Sequence, residues 1–243
     1  MLRGANIFIT GTSRGLGLEM VKQLVSRKTS GQIFATCRAP DQAVDLARIA
    51  AENKNVHLMQ LDVTDCQSFP AVSEAVREMT GEAGLNILIN NAGVAPKSTR
   101  ITMVTEDQMM ETFKTNVVAP VLLTKSLLPN LKEGVSHSNQ SSLVVNISSI
   151  LGSIAENTQG GLYPYRSSKA GVNAVSKSLS LDLAPNNILA VAIHPGWVQT
   201  DMGGKNAPLT SSQSIEGVLE LIDNFSSEQN GGFYDNFGKQ LPW

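Results

Sequence analysis

Cysteine is almost absent from this sequence. Cys37 and Cys66 are the two thiols in 243 residues. Two thiols cannot form a disulfide framework or a cysteine-rich zinc cluster, and their scarcity fits a reducing compartment. No metal site is expected. Charge is also sparse: Asp, Glu, Lys and Arg make up 16% of the chain. That predicts extensive buried or interfacial surface. The formal net charge is -2 and no basic stripe occurs, which argues against nucleic acid and anionic membrane as partners. No apolar run reaches the length of a membrane span. Met1-Leu2-Arg3-Gly4 leads straight into the apolar Ala5-Asn6-Ile7-Phe8-Ile9, too soon for a signal sequence. The chain reads as soluble and cytoplasmic. Internal repeats, low-complexity tracts and linkers are lacking too, so residues 1–243 read as one domain.

What is present is alternation. Short runs rich in Val, Ile and Leu recur at Ala5–Thr10, Gln32–Cys37, Val56–Gln60, Ile87–Asn90, Leu143–Ile147 and Leu189–His194. Segments of helical period separate them, near Gly15–Ser26, Asp41–Glu52, Cys66–Glu78, Glu106–Lys132 (with a break) and Tyr163–Leu183. Strands without polar alternation are buried on both faces, as in a parallel sheet covered by helices. Repeated βαβ units predict a doubly wound α/β fold of Rossmann type. Ser136–Ser142 and Met202–Ser214 read as surface loops.

Tyr165-Arg166-Ser167-Ser168-Lys169 opens the last of these helices. Tyr165 and Lys169 are one helical turn apart and share a face. An ammonium beside a phenol favours the phenolate, so the phenol can exchange a proton near neutral pH. Taken alone, such a pair is more often a surface neighbour contact.

Gly11-Thr12-Ser13-Arg14-Gly15-Leu16-Gly17 lies between the first strand and the first helix. Glycines there let the backbone approach a pyrophosphate, and the helix N-terminus supplies N–H donors. The alternative is an ordinary glycine-rich turn. The second strand ends at Cys37-Arg38, with no carboxylate to hold a ribose 2′-hydroxyl. Arg38 and Arg14 together match a 2′-phosphate, which predicts NADP(H) over NAD(H). Otherwise both arginines are simply solvated. Asp62, before Val63, reads equally as an adenine contact and as a cap for the next helix. Asn90-Asn91-Ala92-Gly93 closes strand four, where small residues admit a flat ligand or merely form a turn. Pro120 removes a helical donor near Asn116, whose side chain fills the break, alone or through water, or only marks a kink. Ser148 and Ser149 end strand five at the ligand-binding edge, either to bond a substrate oxygen or as turn serines. Asn157–Gly161 reads as a mobile loop beside the pocket.

In this order, Thr10-Gly11-x-x-x-Gly15-x-Gly17, Asn90-Asn91-Ala92-Gly93, Asn116, Ser149, Tyr165-x-x-x-Lys169 and Pro195-Gly196 resemble the short-chain dehydrogenase/reductase pattern along essentially the whole chain. Ser148–Ile154, Gly160–Tyr163 and Phe237–Trp243 are similar, more narrowly, to sniffer-type (C-factor-like) carbonyl reductases. The resemblance implies a sheet of about seven strands and a homodimer or homotetramer. It implies Tyr165 as general acid and base, with Lys169 lowering its pKa and holding the nicotinamide ribose. Ser149 would polarise the carbonyl, and Asn116 would hold a relay water. Gly11, Ser13, Arg14, Gly15, Leu16, Gly17, Arg38, Asp62, Val63, Asn90, Ala92 and Gly93 would bind the cofactor. Pro195, Gly196, Val198 and Thr200 would hold its nicotinamide end.

Ser149 precedes Tyr165 by 16 residues, about three more than in many relatives. The extra residues fall in Asn157–Gly161, and Ser148 is the alternative serine. The expected activity is NADPH-dependent reduction of an aldehyde, ketone or quinone, with a substrate loop at about 195–214 and a lid built on Trp197, Met202 and the Gly203-Gly204 hinge. The alternatives are an alcohol or steroid dehydrogenase working oxidatively, and an NADPH-sensing protein without turnover.

Overall fold

The computed structural model describes residues 1–96 and 100–243. Seven strands form one parallel sheet: β1 Ile7–Thr10, β2 Ile33–Cys37, β3 Val56–Gln60, β4 Ile87–Asn90, β5 Ser142–Ile147, β6 Ile188–His194 and β7 Phe233–Asp235, in the order β3-β2-β1-β4-β5-β6-β7. Strand order reverses between β1 and β4. Such switch points open a crevice at the carboxyl edge of the sheet. β1, β2, β4 and β5 are buried at every position, as their unbroken apolar runs predict.

Two apolar layers flank the sheet. Ile7, Ile9, Val145, Val191 and Ile193 face one layer, packed with Met20, Val21 and Leu24 of α1 (Gly15–Ser26) and Val218, Leu219 and Ile222 of α7 (Ser211–Asp223). Phe8, Phe34, Leu88 and Val144 face the other, with Phe69, Val72 and Val76 of α3 (Phe69–Thr80) and Leu123, Leu127 and Leu131 of α5 (Ala119–Ser138). α2 (Val44–Glu52) buries Leu46 and Ile49 in the first layer. Each such side chain contributes roughly 1.5–3 kcal/mol by leaving water.

A polar chain crosses the second layer. Asn90 Nδ2 donates to Asn146 Oδ1 at 2.8 Å, and Asn146 Nδ2 donates to Ser176 Oγ at 2.8 Å. This ties β4 and β5 to α6 (Tyr163–Asp182) beneath the crevice.

Three expectations are corrected. Met202–Ser214 is not loop throughout, because α7 begins at Ser211. Thr210 and Gln213 form a reciprocal capping box that fixes this start. Ser136–Ser142 is not loop throughout either, because α5 runs to Ser138 and β5 begins at Ser142. The helix read over Glu106–Lys132 has its expected break: α4 (Glu106–Phe113), a π-helical turn over Lys114–Val118, then α5. The π turn absorbs the register change before Pro120. β7, the short edge strand, falls outside the six strand candidates. Among the described residues, no helix is long and apolar enough to cross a membrane.

Candidate active site

Every predicted site residue lies on a segment leaving the carboxyl end of a strand, or on the two helical segments packed over that edge. After β1, Gly11 and Gly15 adopt φ of 70° and 57°, a region glycine enters freely. A Cβ on Gly17 would lie 2.2 Å from the Gly11 carbonyl oxygen and 2.6 Å from Asn91 Nδ2. No larger residue fits there. α1 therefore starts with its first N–H groups open at the crevice: the Arg14 side chain does not cap them, and the first turn carries no acid. This end of α1, with Ser13 and Leu16 beside it, suits an anionic diphosphate. Thr10 Oγ1 accepts from the N–H groups of Asn91 and Ala92, locking the β4 exit against the glycine loop.

Of the two arginines expected to converge, one has an ion-pair partner and the other has none among the described residues. Arg14 Nε lies 3.3 Å from Asp201 Oδ2, both side chains largely exposed. Arg38 is exposed at the end of β2. It sits close enough to Asp62 to help hold that carboxyl below its usual range. Burial pushes the carboxyl up, but the Thr64 N–H and hydroxyl, with Arg38 and Lys114, outweigh it. Asp62 Oδ1 takes both Thr64 donors at 2.8 Å, a local turn that caps no helix: the N-cap of α3 is Ser68 and that of the 3-10 turn before it is Asp65. Val63 is buried in the second apolar layer.

Over the other half of the edge, Asn116 projects from the π turn. It does not fill the break in its own helix. Its amide instead clamps the Val94 backbone, with Nδ2 donating to the carbonyl and Oδ1 accepting from the N–H, both at 2.9 Å. Nδ2 also lies 3.0 Å from Ser168 Oγ, which donates to the Tyr165 carbonyl. A Cβ on Gly93 would stand 3.3 Å from Asn116 Oδ1 and 3.7 Å from Lys169 Nζ. Gly93, Asn116 and Lys169 thus meet at one point.

Lys169 Nζ is buried, donates to the Ile147 carbonyl at 2.7 Å, and stands 5.7 Å from the Tyr165 ring centroid. Burial lowers its pKa to about 8. Ser149, just past the end of β5, lies near the Tyr165 phenol, with its Oγ accepting from the Leu151 N–H at 3.2 Å. Burial pushes that phenol above its usual range, and the Ser149 hydroxyl pulls it back by hydrogen bonding. The expected lowering by Lys169 is absent among the protein groups. The ammonium is directed at the Ile147 carbonyl, and desolvation of the phenol dominates. Ser148 is turned away, donating to Asn173 Oδ1 at 2.6 Å. The geometry therefore favours Ser149 over Ser148 as the serine beside the phenol.

Past β6, Gly196 has φ of 86° and packs under Leu209 and Asn236. Val198 bridges to Leu209, and Thr200 Oγ1 donates to its carbonyl at 3.4 Å. Gly15 and Thr200 approach across the crevice. Ser214 Oγ donates to the Pro195 carbonyl from α7. The Gly203 half of the expected hinge is closely packed: a Cβ there would lie 2.0 Å from the Val198 oxygen, and Trp197 Nε1 donates to its carbonyl at 2.8 Å. Gly204, with φ of 77°, has open space around it.

Arg166 escaped the sequence reading. It is buried beside Tyr165, with Nε donating to the Gly160 carbonyl at 3.1 Å and Nη1 to the Leu151 carbonyl at 3.4 Å. An arginine within an amphipathic helix gives no sign of inward pointing. His194 is the other residue missed: its Nδ1 is buried without a hydrogen-bond partner among the described residues. Burial drops its pKa to about 4, against an upward pull from Asp235.

The short chain dehydrogenase family profile matches residues 5–209. Among solved structures, the chain superposes on the carbonyl reductase Sniffer of Drosophila melanogaster with a TM-score of 0.96 and 41% identity, over 98% of this chain and 99% of that one. An NADPH-bound carbonyl reductase from chicken fatty liver gives 0.94 and 36%, over the full length of both. The C-signal protein of Myxococcus xanthus is 41% identical over 159 residues, 65% of this chain and 93% of that protein. Fold and similarity agree, and the chain belongs to the short-chain dehydrogenase family of oxidoreductases.

Proposed function

We propose that this protein is an NADP(H)-dependent carbonyl reductase acting on aldehydes, ketones or quinones. The observation that carries this reading is the meeting of Ser149, Tyr165 and Lys169 beside an open glycine loop. The likeness to carbonyl reductases supports it.

The residues present fit a dinucleotide. The glycine loop leaves backbone clearance, and α1 offers free N–H groups. Arg38, with Arg14, would hold a 2′-phosphate, and Asp62 and Val63 would border the adenine. Asn90, Ala92 and Gly93 would line the ribose side, with Tyr165 and Lys169 beyond them. Pro195, Gly196, Val198 and Thr200 would enclose the nicotinamide end. When bound, the cofactor supplies the hydride. Tyr165 Oη gives its proton to the substrate oxygen, and Ser149 Oγ donates a hydrogen bond to the same atom. These two hydroxyls are fixed before charge develops on that oxygen, so they stabilise it without reorganising. Lys169, held by the Ile147 carbonyl, stands behind the phenol, where its remaining N–H donors would hold the nicotinamide ribose. Asn116 holds the Gly93–Val94 segment against Lys169 and offers a place for a relay water. Residues 195–210 serve as the substrate loop, up to the start of α7 at Ser211.

We also read the enzyme as cytoplasmic, where Cys37 and Cys66 stay unpaired. Exposed Met103, Met110 and Val118 on neighbouring segments support a homodimer or homotetramer. NADPH and NADH oxidation should be followed across a panel of quinones, aldehydes, aromatic ketones and steroids, with the reverse reaction tested on alcohols. Turnover with alcohols alone would shift the reading to an oxidative dehydrogenase. No turnover with any of them, despite NADPH binding, would point to a sensor.

A further inference from the structure

The inserted segment between Ser149 and Tyr165 begins and ends at the two hydroxyls proposed for catalysis, so its position shapes the space above them. Residues 154–160 are all exposed and have no apolar side chain buried in a core. Their own bonds are few and local, such as the Gly160 N–H to Asn157 Oδ1 at 2.9 Å. Gly160, Gly161 and Leu162 then run at φ of 66°, 65° and 50°. For Leu162 this is a costly conformation, held only by its surroundings. Such a segment keeps one shape if something outside it holds it.

Two residues do so. On the inner side, buried Arg166 takes the carbonyls of Leu151 and Gly160 at its two ends. On the outer side, the Trp243 backbone oxygen accepts from the Ala155 N–H at 3.0 Å. Trp243 is itself fixed. Its ring stacks on Phe233 of β7 with centroids 5.7 Å apart and planes 16° apart, and the Leu241 N–H donates to the Phe233 carbonyl at 2.7 Å. The returning strand is bridged to β7 at Tyr234 and Gln240. The insert is thereby tied to the sheet through the hairpin that carries Phe237.

The segments bordering the crevice here carry large exposed apolar side chains: Ile154 at 78%, Trp197 at 57%, Met202 at 54% and Phe237 at 76%. Apolar side chains around a polar catalytic centre favour a ligand that buries area, such as a bulky aromatic or polycyclic carbonyl. Small hydrophilic aldehydes gain nothing from them. We infer that Trp243, through its stack on Phe233 and its bond to Ala155, is a specificity-determining positioning residue: it braces the 154–160 wall so that the site prefers bulky apolar carbonyls. This rests on the carbonyl reductase reading above.

The test compares the wild-type protein with Trp243→Ala and Trp243→Phe. Kinetics would use a small aliphatic aldehyde and an aromatic ketone or quinone, and amide hydrogen exchange would follow residues 154–160. Trp243→Ala should exchange faster in that segment. It should raise KM for the bulky substrate roughly three- to tenfold, the range expected when a binding wall must be reordered, and leave kcat for the small aldehyde and NADPH affinity unchanged. Trp243→Phe, which keeps the stack, should restore both readouts. Unchanged exchange and an unchanged KM ratio in an active Trp243→Ala protein would overturn the brace. Wild-type protein that reduces no carbonyl would instead overturn the carbonyl reductase reading and the specificity claim with it, even if exchange still reported the brace.

Discussion

Asn116 closes a ring of two hydrogen bonds with the backbone of Val94, both at 2.9 Å. A single side chain thus satisfies both polar groups of the residue that follows the glycine beside Lys169. A role limited to proton relay would not need this clamp. Asn116→Ala should strip the Val94 N–H and carbonyl of their side-chain partner at a partly buried point of the site. It should cost about 1–3 kcal/mol of stability as well as turnover. Asn116→Asp keeps the acceptor and loses the donor, so its stability should fall between the two. Equal unfolding midpoints for wild type and Asn116→Ala would remove the clamp, leaving any kinetic loss to the relay alone.

Tyr165 carries the proton in the proposed reaction. Tyr165→Phe keeps the ring beneath Lys169 and removes only the hydroxyl, so folding and NADPH binding should persist. Turnover should fall by roughly two to four orders of magnitude, the usual worth of a positioned acid. Fluorescence titration with NADPH, beside steady-state carbonyl reduction, separates the two effects. Undiminished turnover would sink the assignment.

The arginines present a sharper choice. Arg14 is engaged by Asp201 across the crevice mouth, while Arg38 has no carboxylate in salt-bridge contact among the described residues. An exposed pair such as Arg14–Asp201 holds its partners weakly, so Arg14 can leave Asp201 for a phosphate. Arg38→Ala should raise KM for NADPH roughly ten- to hundredfold, as expected for a lost charge-assisted contact, with little change for NADH. Arg14→Ala should have a smaller effect in the same direction. If both variants weaken the two cofactors equally, the 2′-phosphate assignment is wrong.

How far the chain could be read in advance follows from what each element needs. Strands buried on both faces are mostly apolar, so β1, β2, β4, β5 and β6 stood out as apolar runs, whereas β3, Val-His-Leu-Met-Gln and buried only at Val56, was found by its place in the alternation. β7 is three residues at an edge, too short for any period to appear. α7 begins with Thr210-Ser211-Ser212-Gln213-Ser214, polar enough to pass for loop; the Thr-x-x-Gln spacing of a capping box was the available signal. Site residues spaced by helix geometry or placed at strand ends, such as Tyr165, Lys169 and Ser149, were legible because spacing and chain order position them. Arg166 and His194 were not, because their inward direction depends on what packs over them. The absence of a lysine effect on the Tyr165 phenol was equally out of reach: it depends on where Nζ points, and Nζ points to the Ile147 carbonyl.

His194 yields a prediction with a defined sign. Burial lowers its pKa to about 4 in the folded protein, while the ordinary value is 6.5. Between these values the unfolded chain binds a proton that the native state refuses. Stability should therefore fall as pH drops from about 6.5 to about 4, and be flat in this respect above 6.5. The separation corresponds to about 3 kcal/mol, with the upward pull of Asp235, which pairs with His194 in register across β6 and β7, already included. His194→Gln carries no proton in this range. It should flatten that part of the pH profile while leaving the stability of the neutral protein close to wild type, provided the amide finds the partner that Nδ1 lacks. Urea midpoints collected from pH 4.5 to 7.5 for both proteins would decide it. Parallel profiles would mean that another group, such as a carboxyl released by acid, sets the acid limit of this fold.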